Sequence, residues 1–104
     1  MDGTRKVSVY ELQRARELRA NVLVLDVSSA RARKKLGVIP GAQLATSTLP
    51  ANRNTPIVYY CESERCRAAS KAARAAIDAG YTNVRVLEGG ARAWRSAGHR
   101  LAKR

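Results

Sequence analysis

Residues 57–87 read IVYYCESERCRAASKAARAAIDAGYTNVRVL, and the order of patterns in this stretch predicts the fold. Residues 57–60 are apolar and suit a buried strand, and residues 84–87 have the same character. Between them, residues 67–79 place apolar side chains, mostly alanine, on one stripe at helical spacing, and Gly80 follows where a glycine commonly ends a helix. Strand, loop, helix and strand in this order predict a right-handed parallel crossover. We therefore expect an α/β fold with a parallel sheet.

The sequence on either side of this stretch continues the pattern. Ser8 and Glu11 have the S-x-x-E spacing of a capping box, which predicts a helix that runs to about Arg19. Residues 22–27, VLVLDV, are apolar and rich in β-branched side chains, which is typical of a strand buried on both faces. After the last strand, a Gly-Gly pair leads into a short final helix that carries Trp94.

The length and composition indicate a single small domain. A chain of 104 residues fits one domain, and we place its core at about residues 7–98, with residues 99–104 as a basic tail. No apolar run approaches the roughly eighteen residues that a membrane span needs, and the first residues lack the apolar stretch of a secretory signal. We therefore expect a cytoplasmic protein with no membrane partner.

The charge balance is strongly basic. The chain has 20 Lys and Arg residues against 8 Asp and Glu residues, a formal net charge of +12, and such a charge raises the affinity for any polyanion. The basic residues are spread along the chain, apart from a dense run at residues 31–35, and they match no motif of a nucleic-acid-binding module. The pattern favours a generic positive field, so we expect no specific nucleic-acid partner.

Both cysteines, Cys61 and Cys66, lie in the loop between the strand at 57–60 and the helix that follows. Cys61 directly follows the strand, and parallel α/β proteins bind ligands at the carboxyl ends of their strands. Backbone N–H groups of a tight loop and the positive end of the next helix favour an anion there and lower the pKa of a thiol. Cys61 is therefore the candidate nucleophile. Because the chain has a single histidine, a metal site is poorly supported, and we expect no cofactor.

Three motifs in order resemble those of the rhodanese family. VLVLDV at 22–27 followed by GVIPGA at 37–42 is similar to the family's first strand and the turn after it. PIVYYC at 56–61 resembles the strand that ends in the active cysteine, and GYTNVRVLEGGARAW at 80–94 resembles the C-terminal signature. The resemblance implies a single rhodanese-like domain: a three-layer α/β/α fold with a parallel sheet of about five strands.

The same resemblance implies a sulfurtransferase. Cys61 would take a sulfane sulfur from a small donor, become a persulfide, and pass the sulfur to a thiol or another nucleophile. The donor would be thiosulfate or a persulfide, including a protein persulfide. By motif position the substrate-binding loop consists of Glu62, Ser63, Glu64, Arg65, Cys66 and Arg67.

The charges of this loop depart from the family pattern. Glu62 and Glu64 place two negative charges beside Cys61. Like charges at short range disfavour both the thiolate and the approach of a dianion. Arg65 and Arg67 can offset this only if they face the same opening. We therefore expect weak activity with thiosulfate and leave the natural donor open.

Cys66 and Asp26 each have two interpretations. Cys66, in a Cys-x4-Cys loop, is a candidate resolving thiol that would release the sulfur and form a disulfide with Cys61. It is equally a candidate for a small buried residue that packs on the helix. Asp26 ends an apolar strand and needs hydrogen-bond partners there, so we interpret it mainly as structural support.

Three further functions remain open. Cys61 and Arg67 have the Cys-x5-Arg spacing with which phosphatases and arsenate reductases of related folds hold an oxyanion. A non-catalytic rhodanese-like module could also keep the cysteine and dock a partner protein. Polyanion binding through the net charge would depend steeply on salt and would not require Cys61. The sequence leaves the oligomeric state open.

Overall fold

The computed structural model describes residues 5–18, 20–46, 48–63 and 67–103, and it shows a parallel sheet with helices on both faces. The predicted α/β/α fold is therefore confirmed. In chain order the elements are β1 (Arg5–Val7), α1 (Val9–Glu17), β2 (Leu23–Asp26), α2 (Ala30–Leu36), β3 (Gln43–Leu44), β4 (Ile57–Tyr60), α3 (Ala68–Asp78), β5 (Val84–Leu87) and α4 (Gly90–Ser96).

The five strands are ordered β1-β5-β4-β2-β3, and every pair is parallel. Strand β4 lies at the centre, with Tyr59 opposite Leu25 of β2 on one side and opposite Val86 of β5 on the other. All four residues of β4 are buried. A central parallel strand is covered on both faces, which explains its uninterrupted apolar sequence.

One face of the sheet is covered by α1, α2 and α4. The largest buried side chains of this face are Leu12 of α1, Tyr60 of β4 and Trp94 of α4, each at most 3% exposed. Leu36 of α2 completes the layer. Burying several large side chains in one cluster gives this face a substantial share of the hydrophobic stabilisation.

The other face is covered by α3 and by the chain around Ala45 and Leu49. Ile57 and Tyr59 of β4 point to this side, because successive side chains of a strand alternate between faces. Helix α3 contributes alanines to the contact. Burial, with a smaller contribution from Tyr81, raises the pKa of the Tyr59 hydroxyl, so this ring is neutral at physiological pH.

Helix α1 begins at the predicted capping box. The backbone N–H of Glu11 donates to Oγ of Ser8 at 3.0 Å, and the N–H of Ser8 donates to Oε1 of Glu11 at 2.9 Å. The hydrogen bond from the Ser8 backbone lowers the pKa of the Glu11 carboxyl, with a further contribution from the Ser8 side chain. The helix ends at Glu17, slightly before the predicted end at Arg19, which lies outside the described residues.

Three elements of the fold are absent from the sequence prediction: β1, α2 and β3, which has only two residues, both exposed. Strand β1 has three residues, two of them exposed and basic, so it has no apolar pattern to recognise. Helix α2 includes the basic run at 31–35. Its N-cap is Ser29, whose hydroxyl accepts a hydrogen bond from the N–H of Ala32, and the helix buries only Ala32 and Leu36. Two buried side chains in a helix of seven residues are too few to show helical periodicity.

The segment predicted as a basic tail packs on the fold as far as it is described. Val38 and Ala102 exchange two backbone hydrogen bonds of 2.7 Å in an antiparallel bridge. The indole N–H of Trp94 donates to the carbonyl of Arg100 at 3.0 Å, and the His99 ring lies 4.6 Å from the Trp94 ring. Within the described ranges, no helix is both long and apolar enough to cross a membrane.

Candidate active site at the carboxyl end of β4

Cys61 lies immediately after β4 and is 2% exposed. Its side chain is on the α3 side of the sheet, in the same cluster as Tyr59 and Ala69. The thiol donates a weak hydrogen bond to the carbonyl of Ser63, with 3.8 Å between sulfur and oxygen. The sulfur atom therefore lies at the predicted edge of the sheet, below the protein surface.

Helix α4 fixes the backbone at Cys61. The N–H of Ala91 donates to the Cys61 carbonyl at 2.9 Å, and the N–H of Arg92 donates to the Glu62 carbonyl at 3.0 Å. Gly90 makes this approach possible: its φ is +61°, and a Cβ at this position would overlap the Cys61 carbonyl oxygen. Only glycine combines that conformation with such close backbone contact.

A small cavity adjoins the thiol. Its volume is about 40 Å³, comparable to the roughly 30 Å³ that one water molecule occupies in the liquid. It therefore has room for one small group beside the sulfur of Cys61. Within the described part of the chain it is lined by Lys6, Cys61, Ser63, Ala69, Ser70, Val86, Leu87, Glu88 and Gly89. We call it the Cys61 cavity.

The charges near Cys61 differ from the expectation. Glu62 does not stand uncompensated, because its Oε2 lies 3.0 Å from Nη2 of Arg92. Lys6 places a further cation at the wall of the Cys61 cavity. The first turn of α3 also borders the cavity through Ala69 and Ser70, and the positive end of a helix favours negative charge. One acid, Glu88, also lines the cavity. The described surroundings are therefore closer to charge balance than the loop sequence suggested.

The remaining loop residues are only partly described. Arg67 is exposed at the N-cap position of α3, where its side chain makes no capping hydrogen bond. Ser63 lines the Cys61 cavity. The other three residues of the proposed loop, and with them the interpretation of Cys66 as a resolving thiol, lie outside the described residues: Glu64, Arg65 and Cys66.

Asp26 is 2% exposed and anchors the other side of the same sheet edge. The Tyr60 hydroxyl donates to Oδ2 of Asp26 at 2.7 Å and accepts from the N–H of Ile39 at 3.0 Å. The N–H of Ser28 donates to Oδ1 at 2.7 Å, and Nη1 of Arg33 lies 3.9 Å from it. This network, the Asp26–Tyr60 network below, supplies the partners that a buried carboxylate needs.

Several residues of the site were not identified from the sequence. Lys6 and Glu88 line the Cys61 cavity and Arg92 pairs with Glu62. No local pattern marks Lys6, and the motif at residues 80–94, which contains Glu88 and Arg92, assigned neither of them a role at the site. The Gly89-Gly90 pair was visible as a turn, but its close contact with Cys61 was not. Among the described residues, no three side chains of His, Cys, Asp or Glu lie together as a metal site would require.

The sequence matches the model of the rhodanese-like domain family over residues 8–97, and the chain belongs to this family. No curated protein matches the sequence significantly. Solved structures extend the likeness in fold. A thiosulfate sulfurtransferase from Pseudomonas aeruginosa has a TM-score of 0.80 at 22% identity, over 96% of this chain and 20% of that one.

Two further structures illustrate the range of this fold. The rhodanese-like domain of an Anabaena protein has a TM-score of 0.74 at 24% identity, covering 90% of this chain and 75% of that one. A Rhodopseudomonas palustris protein of unknown function, described as a possible tyrosine phosphatase, has a TM-score of 0.77 at 23% identity, with 94% and 84% covered. At such identities these likenesses show the fold.

Proposed function

We propose that this protein is a sulfurtransferase that carries sulfane sulfur as a persulfide on Cys61. The observation that carries the proposal is the placement of Cys61, buried at the carboxyl end of β4 beside a cavity that accommodates one small group. Membership of the rhodanese-like domain family supports it. The reaction needs no cofactor, and it suits a reducing compartment such as the cytoplasm, where thiols persist.

The proposed reaction has two steps. The Cys61 thiolate attacks the outer sulfur of thiosulfate, the S–S bond of the donor breaks, and sulfite leaves with the electron pair. With a persulfide donor, the leaving group is the donor's thiolate. An acceptor thiolate then attacks the terminal sulfur of the Cys61 persulfide and releases Cys61 as the thiolate.

The described charges oppose an anionic donor at the Cys61 cavity less than the loop sequence suggested, although one acid, Glu88, lines it. The cation of Lys6 and the first turn of α3 both border it, and Arg92 compensates Glu62. A negatively charged sulfur compound would therefore meet less repulsion than the loop sequence alone suggests. A small donor and a thiol acceptor remain the proposed partners.

Intact-mass spectrometry tests the carrier thiol. The wild type, Cys61→Ser and Cys66→Ser would each be reduced, exposed to thiosulfate or glutathione persulfide, and weighed. We expect a gain of one sulfur, about 32 Da, that is absent only from Cys61→Ser. A loss of two hydrogen atoms, which either substitution abolishes, would show that Cys66 attacks the Cys61 persulfide, forms a disulfide and releases the outer sulfur as sulfide. No sulfur adduct with any donor would refute the proposal.

The alternative is a phosphatase. The Cys-x5-Arg spacing favours it, and the similar Rhodopseudomonas protein is described as a possible tyrosine phosphatase. In that mechanism the arginine binds the oxyanion held over the cysteine. Among the described residues, Arg67 borders a different cavity from that of Cys61, which favours sulfur transfer. Hydrolysis of p-nitrophenyl phosphate that requires Cys61 and Arg67, without any sulfur adduct, would favour the phosphatase. A partner-docking module would show neither reaction.

A further inference from the structure

A second cavity lies on α3 next to the candidate active site. Arg67, Ser70, Lys71 and Arg74 line it, and its volume is about 410 Å³. We call it the α3 basic cavity. Ser70 also lines the Cys61 cavity, so the two cavities share a wall. The nucleophile therefore lies beside a larger, positively charged surface.

The cations of the α3 basic cavity face solvent and lack acidic partners within the described structure. The two ion pairs of the described residues are Arg33 with Asp26 and Arg92 with Glu62, and neither involves α3. Arg67, Lys71 and Arg74 are all exposed. Their spacings of four and three residues place them on one side of the helix, along about 10 Å of its axis.

We propose that the α3 basic cavity docks an acidic segment of a partner protein, whose cysteine exchanges sulfur with Cys61. This proposal rests on the proposed function, since it names the donor or acceptor of that reaction. The three exposed cations lie in a row along the helix, and their charge is complementary to that of an acidic segment. An extended segment covers about 10 Å in three residues, so carboxylates two to four residues apart can meet all three cations.

Electrostatic docking of this kind selects a partner by how fast the two proteins associate. Complementary charge raises the association rate and loses strength in salt, because the pairs are exposed to solvent. The cysteine of the partner would enter over Ser70 towards the Cys61 cavity, while its flanking carboxylates stay on α3. The proposal therefore predicts that binding depends on the cations of α3 in particular and not on the net charge of +12 as a whole.

The test measures binding of a fluorescein-labelled peptide with the sequence Glu-Glu-Cys-Glu-Glu by fluorescence anisotropy, in low salt with reductant. A Gln-Gln-Cys-Gln-Gln peptide is the neutral comparison. The protein carries Cys61→Ser, so that no sulfur chemistry takes place. The docking variant is Lys71→Glu with Arg74→Glu. The control variant is Arg31→Glu with Lys34→Glu, which has the same spacing and the same change in net charge, on exposed residues of α2 across the sheet.

We expect the docking variant to weaken binding of the acidic peptide about tenfold and the control variant to weaken it less than about twofold. Replacing Lys71 and Arg74 by Gln should give an intermediate loss, and thermal unfolding of each variant verifies that it is folded. Equal losses in the docking and control variants, or no preference for the acidic peptide, would overturn the proposal. The anisotropy assay does not use Cys61, so a failure of docking is separable from a failure of sulfur loading by intact mass.

Discussion

The two faces of the sheet are built from different residues and serve different purposes. The face under α1, α2 and α4 buries large side chains such as Leu12 and Trp94 and encloses the Asp26–Tyr60 network. The α3 face is covered by a helix whose buried residues are alanines, and it carries Cys61 with two adjoining cavities. One face therefore supplies packing and fixed geometry, and the other carries the proposed active site.

The two faces meet at consecutive residues of one chain segment. Tyr60 points into the first face and is fully buried there, while Cys61 points towards α3. The hydrogen bonds of Tyr60 and the contact of α4 at Gly90 therefore fix the position of Cys61, the proposed nucleophile. Substitutions on the first face should alter the reaction without removing any group that touches a substrate.

The largest effect is expected where α4 meets the backbone of Cys61. In Gly90→Ala, the new Cβ overlaps the Cys61 carbonyl oxygen, and the positive φ adds backbone strain. We expect a loss of about 3 kcal/mol or more in unfolding free energy. We also expect persulfide formation to slow strongly, because Cys61 must move. Urea unfolding and the mass assay with thiosulfate measure the two effects.

Gly98→Ala is the matched control for this prediction. Gly98 also has a positive φ, +91°, but no heavy atom lies within 4 Å of a Cβ built on it. This variant should cost only the backbone strain, about 1 kcal/mol, and should form the persulfide normally. Similar losses of stability and activity in the two variants would show that the contact of Gly90 with Cys61 has no special importance.

A smaller effect is expected from the Asp26–Tyr60 network. Tyr60→Phe keeps the ring but removes the hydroxyl between Asp26 and the N–H of Ile39. Loss of this bridge in a buried site should cost about 2 kcal/mol. Tyr10→Phe is the same chemical change at a side chain that is 74% exposed, and it should change stability by less than about 0.5 kcal/mol. Denaturant unfolding compares them, and equal stabilities would mean that the network does not fix this sheet edge.

The strand-loop-helix segment at the centre was predictable because its patterns are long and local. Both flanking strands and α3 form where the sequence indicated, and Cys61 follows β4 as expected. The contributions from elsewhere were not predictable. Lys6 reaches the site because β1 pairs with β5 and sets Lys6 opposite Val86, a neighbour in space but 80 positions away in the chain. Pairing of this kind is a property of topology, which short basic segments do not reveal.

The expected repulsion by Glu62 illustrates the same limit, and it gives the smallest predicted effect. Arg92, thirty residues away, pairs with Glu62 at a half-exposed site, so Arg92→Ala should cost at most about 1 kcal/mol of stability. It leaves a carboxylate uncompensated near Cys61, so loading from the thiosulfate dianion should slow several-fold, more so at low salt. Glu62→Gln with Arg92→Ala should restore much of the rate, because the unpaired charge is gone. Quenching the loading reaction at set times and measuring the intact mass gives these rates. If the double variant is as slow as Arg92→Ala, Arg92 acts through its own contacts and not by compensating Glu62.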